Sequence, residues 1–146
     1  MSDFNVEISW QYAPRPGHPD DYSRAHQWRL SGEQTLRASS APAYAGDPDH
    51  TNPEEGLIAA VSSCHMLTFL AVAAKRGFKV ASYTDHAGGT LAKNAEGRMA
   101  VTEVVLRPQI RFDGTAPGAD ELAKLHESAH RNCFIGNSIT AAVRVE

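Results

Sequence analysis

The stretch "TNPEEGLIAAVSSCHMLTFLAVAAKRG", residues 51–77, decides how this chain folds. Asn52 stands where a helix N-cap belongs, Pro53 takes the first helical position, and Glu55 follows the cap by three residues. That is the spacing of a capping box, in which the two residues exchange side chain–backbone hydrogen bonds. The apolar run then reaches Lys75 or Arg76, where basic side chains suit the negative end of the helix dipole. Gly77 supplies the stop. The pattern predicts one long helix. From 56 to 74 it carries no Asp, Glu, Lys or Arg and approaches membrane-span length. No second span and no flanking basic cluster accompany it, so it reads as a buried central helix and no membrane partner is expected. A helix apolar nearly all round needs more cover than one small sheet provides, which points to a dimer built around these helices.

Working outward, residues 4–13 alternate around Val6, Ile8 and Trp10, as a half-buried strand does. Residues 14–21 read as a loop from their Pro and Gly content, and 25–40 as two strands with Ser31-Gly32 near the turn. Residues 41–53 form another irregular loop. Beyond the helix, 78–94 reads as a strand ending at a Gly-rich turn, and 98–114 as one long strand. Residues 118–134 form a second, amphipathic helix with Leu122, Leu125 and Ala129 on one face, and a last strand closes the chain. Three strands, a long helix, two strands, a second helix and a strand make an α+β fold with largely antiparallel sheet, expected as one domain over 1–146.

Composition narrows the function classes. Apolar residues make up 42% of the 146, enough for a core, and the formal net charge of -3 comes with no Lys/Arg face. Nucleic acid is not an expected partner. Two cysteines, Cys64 and Cys133, are too few for a disulfide scaffold, and "MSDFNVEISW" lacks the pattern of a signal peptide. A reducing cytoplasm is the expected compartment.

Three readings of the cysteines and histidines compete. In the first, both cysteines and the histidines are core or helix-edge residues. In the second, "HESAH", 126–130, matches the H-E-x-x-H zinc pattern, with His126 and His130 on one helix face and Glu127 as base. No third histidine follows at metzincin spacing, and Leu122, Leu125 and Ala129 turn that helix toward a core, so no metal and no other cofactor is expected. In the third, the cysteines do redox chemistry: a thiolate attacks, an arginine supplies fixed positive charge and donors, a carboxylate holds the arginine, and a second thiol resolves the sulfenic acid.

The residues that decide among these carry a resemblance. "TNPEEGLIAAVSSCHM", 51–66, resembles the helix start and peroxidatic-cysteine region of the OsmC/Ohr superfamily, the osmotically induced and organic hydroperoxide resistance proteins. The family pattern is T-N-P-E with a cysteine ten residues after the glutamate, the relation of Glu54 to Cys64. A second family cysteine ends the second long helix in an A-x-x-x-C context, matched at Cys133 in "AHRNCFIGNS". The hydroperoxide resistance branch places its arginine eighteen residues before a strand-ending proline, which selects Arg24 before Pro42, with Arg29 and Arg37 as weaker fits. The chain departs from the commoner branches at His65, where they have Phe, and at Phe134, where they have Pro. Tyr44 stands at the position of the arginine used in the OsmC branch proper.

The resemblance implies an intertwined homodimer with active sites at its interface. It implies a peroxidase in oxidative stress defence that reduces organic hydroperoxides to alcohols. In this reading Cys64 attacks, Arg24 binds the peroxide, Glu54 orients Arg24, Cys133 resolves the intermediate as a disulfide, and a dithiol such as a lipoylated protein restores the thiols. Apolar surroundings at Met66, Leu67, Phe69 and Phe134 favour alkyl substrates. Ten residues of helix rise about 15 Å, so Glu54 and Cys64 of one helix cannot meet directly. They serve one site across the dimer or through Arg24. His65 points about 100° away from Cys64, which makes it a pocket, interface or packing residue, and His126 either tunes Cys133 or fills space. The alternative class is an OsmC-like protein that binds a small ligand or senses redox state without efficient turnover.

Overall fold

The computed structural model describes residues Met1–Glu146 as two compact units, Met1–Gly56 and Leu57–Glu146. The first holds five strands: β1 (Glu7–Ser9), β2 (Pro14–Arg15), β3 (His18–Tyr22), β4 (His26–Arg29) and β5 (Thr35–Ala38). β4 lies between β1 and β5 in an antiparallel sheet, with Ile8 opposite Trp28 and Trp28 opposite Leu36. The expected loop at 14–21 is instead the hairpin β2–β3. Its Pro and Gly mark only the tip: Gly17 takes the left-handed conformation (φ 76°) that closes a tight turn after Pro16. Val6, Ile8 and Trp10 were expected half-buried, but all three are exposed, because in the chain alone no layer covers that strand.

The chain enters its long helix, α1 (Pro53–Lys75), through a short parallel bridge between Ala38 and Thr51. The capping box forms as its spacing predicts. The Glu55 N–H donates to Asn52 Oδ1 at 2.9 Å and the Asn52 N–H to Glu55 Oε2 at 3.3 Å. Gly56, in the first turns, lies so close to the Trp28 indole that a Cβ there would come within 2.6 Å of the ring. The indole cannot swing freely, since its N–H donates to His26 Nε2 at 3.0 Å. At the other end Gly77 (φ 84°) stops the helix.

The second unit contains the rest of α1, then β6 (Lys79–Asp85), β7 (Gly88–Lys93), β8 (Met99–Leu106), β9 (Pro108–Asp113), α2 (Ala119–Asn132) and β10 (Ala142–Val145). β6 pairs antiparallel with β9, β7 antiparallel with β8, and β10 parallel to β8. The predicted single strand over 98–114 is thus two strands. Pro108 cannot continue the ladder of β8, so the chain changes partner strand at Arg107, whose N–H is taken up by Asp85 Oδ1 at 2.6 Å. The Gly-rich turn is also corrected. Gly88 and Gly89 belong to β7, and a Cβ at Gly89 would come within 2.7 Å of Ile58 Cδ1, so this glycine lets α1 approach the sheet.

Two buried clusters fill this unit. Phe69 and Ala73 of α1 meet Leu125 and Ala129 of α2 over Tyr83, Ile110 and Phe112. Val61 meets Val104 and Leu106, with Ile135 and Val143 around them. Within one chain α1 buries one stripe, Val61, His65, Phe69 and Ala73. The stripe Ala59, Ser63, Leu67 and Ala71 is exposed, Leu67 at 60%. One helix-on-sheet layer covers one face only. By length and composition α1 could also cross a membrane.

Replacing Gly56 by Ala should strain the Trp28 contact by about 1–3 kcal/mol. Thermal unfolding followed by circular dichroism should show a midpoint lower by roughly 3–10 °C.

Candidate functional site

The residues singled out by sequence fall in different units, Arg24 and Glu54 in the first, Cys64 and Cys133 in the second. In the first, Arg24 follows β3. Its guanidinium donates to Asp21 Oδ2 at 2.6 Å and to the Tyr22 carbonyl at 2.5 Å, and lies 4.0 Å over the Tyr22 ring. The hydrogen bond from Arg24 holds the Asp21 carboxyl below the usual carboxylate range. The carboxylate that orients Arg24 within the chain is therefore Asp21, not Glu54. Sequence reasoning missed it, although the i, i+3 spacing was visible. Arg24 lines two clefts of about 400 Å³, one with Trp10, Tyr22, His26 and Pro53, the other with Asp47 and His50. Glu54 has one buried carboxylate oxygen with no hydrogen-bond partner.

In the second unit both cysteines are free thiols, Cys64 half-buried in α1 and Cys133 buried as the C-cap of α2. Cys64 lies near enough to Cys133 to act on its thiol. Burial pushes the Cys133 thiol up, against the pull of the Gly136 N–H, which donates to its sulfur at 3.3 Å; Cys64 pushes it up further. Cys133 is thus held as a protonated, sheltered thiol and Cys64 is the accessible one.

Beside the thiols lies a feature with no local sequence signal, since its partners are 61 residues apart. The His65 and His126 rings lie nearly parallel (12°) with centroids 5.3 Å apart and share a hydrogen bond of 3.0 Å between His65 Nε2 and His126 Nδ1. His126 also packs on Phe69 at 4.6 Å. His65 is 1% exposed and its Nδ1 is buried without a partner. A bare buried lone pair is cheaper than an orphaned buried N–H. This assigns the proton of His65 to Nε2, which donates, and that of His126 to Nε2, leaving its Nδ1 to accept. His65 is therefore a core residue, and His126 packs against it. His126, Glu127 and His130 line an open, largely apolar cleft of about 540 Å³ on α2, but the chain gathers no group of three residues suited to a metal. Glu127 is paired instead with Arg131.

The family model of OsmC-like proteins matches residues 46–146. The chain belongs to the OsmC-like protein family. An OsmC-like protein of unknown function from Vibrio cholerae is 42% identical over 100% of this chain and 99% of its own, with a TM-score of 0.91. An organic hydroperoxide resistance protein from Elizabethkingia anophelis superposes with a TM-score of 0.70 at 18% identity, covering 99% and 94% of the two chains. The organic hydroperoxide resistance protein OhrB of Bacillus subtilis gives 0.69 at 17%, covering 98% and 97%. The last two likenesses establish a shared α+β fold. No curated protein matches the OsmC-like chain.

Burial, and then the neighbouring His126 and His130, lower the His65 pKa from 6.5 to about 4, and burial also lowers that of His126. Between those values the unfolded chain binds more protons than the folded one, so stability is full above pH 6.5 and falls as pH drops toward 4. The loss from His65 is on the order of 3 kcal/mol. Urea midpoints measured from pH 7.5 to 4.5 should fall in the wild type and stay flatter in His65→Gln. The Asp21 contribution is lost only below this window.

Proposed function

We propose that this OsmC-like chain is a thiol-dependent peroxidase for organic hydroperoxides. The observation that carries the reading is the pair of neighbouring free thiols, one half-buried and one buried. The Cys64 thiolate attacks the hydroperoxide, its sulfur taking one oxygen while the O–O bond breaks and the alcohol leaves. The Cys133 thiol then condenses with the Cys64 sulfenic acid, releasing water and forming a disulfide. A dithiol reduces that bond by two exchange steps and leaves as its own disulfide. Exposed apolar side chains at Leu67, one turn from Cys64, and Phe134, next to Cys133, support an alkyl substrate. Phe69 plays no such part, because it is core.

In this reading Arg24 binds the peroxide and stabilises the thiolate, with Asp21 holding it in place and Glu54 adding to the charge arrangement. The orphaned Glu54 oxygen supports a guanidinium partner supplied across a dimer, since a buried carboxylate oxygen calls for a cation. The exposed stripe of small residues and Leu67 on α1 supports the same homodimer, and two free cysteines support a reducing cytoplasm. The apolar cleft on α2 supports a second reading, a small-ligand-binding protein of the same fold.

One equivalent of cumene hydroperoxide added to reduced protein should consume both thiols within seconds, with a mass loss of about two hydrogens. Cys133→Ser should still consume about one equivalent yet form no intramolecular disulfide. Arg24→Ala should slow attack about 10- to 100-fold, the worth of one hydrogen bond to a charged group. Thiols untouched after minutes would favour the ligand-binding reading.

A further inference from the structure

His65 adjoins Cys64 in α1, and His126 precedes Cys133 by seven residues, two turns along one face of α2. Their hydrogen bond is a partly buried polar link between the helix that bears the first thiol and the helix that ends at the second. Ala73, Phe69, Leu125 and Ala129 continue the contact as apolar packing, which has no directional demand. A hydrogen bond fixes register where apolar contacts tolerate sliding.

We propose that the His65–His126 hydrogen bond is a pH-gated positioning device for the thiol pair, setting the approach of Cys64 to Cys133 and releasing it on acidification. This rests on the disulfide chemistry of the preceding section. The gate follows from proton placement. His126 Nδ1 accepts the bond and His65 Nε2 donates it, so a proton added at His126 sets two donors face to face. The alternative site, His65 Nδ1, is buried with no acceptor. Either protonation breaks the link or strands a charge in the core. His130, on the next turn of α2, opposes a second positive charge. From β6, Asp85 favours one, but this carboxylate is already taken up by Ser62 Oγ at 2.5 Å and the Arg107 N–H. Tyr83, also on β6 and packed on Phe69, stays neutral because burial raises its pKa.

The test is the exchange of reduced protein with oxidised glutathione, which yields the Cys64–Cys133 disulfide and two reduced glutathiones. Its equilibrium constant varies with pH only where a protein group binds protons differently in the reduced and oxidised forms, and any contribution from the thiols themselves is common to the wild type and both variants. The wild-type constant, read by mass spectrometry, should fall about twofold from pH 7 to pH 4, the drop expected of a group that titrates at about 4 in the reduced protein and about one unit lower in the oxidised protein. His126→Phe keeps an aromatic ring against Phe69 but loses the bond, and should show a low constant at both values. His65→Gln can donate to a neutral His126 or accept from a protonated one, and should keep a high constant with the pH dependence removed. A wild-type disulfide that forms equally at both pH values, or unchanged in His126→Phe, overturns this inference alone. A wild type that forms no intramolecular disulfide at pH 7 overturns the thiol-pair reading and the inference with it.

Discussion

Four residues on one face of α1, Val61, His65, Phe69 and Ala73, hold the second unit together. Val61 belongs to one buried cluster, Phe69 and Ala73 to the other, and His65 stands between them. A polar ring at that point is tolerated only because a second imidazole takes its hydrogen bond, since an unpaired polar group in such a position costs roughly 1–3 kcal/mol. Elements that contribute to either cluster, α2, β6, β8 and β9 among them, depend on the angular position of this one stripe. A helix rotated by one residue would replace it with Ser62, Met66, Leu70 and Ala74, and would carry Cys64 away from Cys133.

Asp85 works on the same scale. Its carboxylate takes the Arg107 N–H at the point where the chain passes from β8 to β9, and Ser62 Oγ on α1. One side chain thus satisfies the backbone where the ladder is interrupted and joins that interruption to the helix. Because it is charged, it also biases the proton affinity of both imidazoles. Fold and electrostatics are coupled here through a single residue.

What was legible in the sequence is local. Asn52, Pro53, Glu55 and Gly77 bound α1 because caps act over three or four residues, and the cysteine spacing carried the family resemblance. Punctuation by Gly and Pro was read less well, because the same residue serves different ends. Gly88-Gly89 resembled a turn and proved to be a strand yielding room to Ile58, while Pro16-Gly17 resembled a loop and proved to be the tip of a hairpin. Pro108 sat inside an alternating run whose apolar pattern survives the change of sheet partner. The imidazole pair had no signal at all, since nothing near His65 announces a residue on another helix. Asp21 was passed over because the resemblance had already offered Glu54 as the partner of Arg24.

The position of Cys133 has a further consequence. It caps the last turn of α2, roughly 70 residues beyond Cys64. A bond between them would close most of the second unit into a loop and remove from the unfolded chain the freedom that a linear one enjoys. By chain-entropy reasoning that closure is worth about 4 kcal/mol. The chain would then be most resistant to unfolding just after it has given up its reducing equivalents, and least resistant when ready to react. Conformational stability would rise and fall with each turnover.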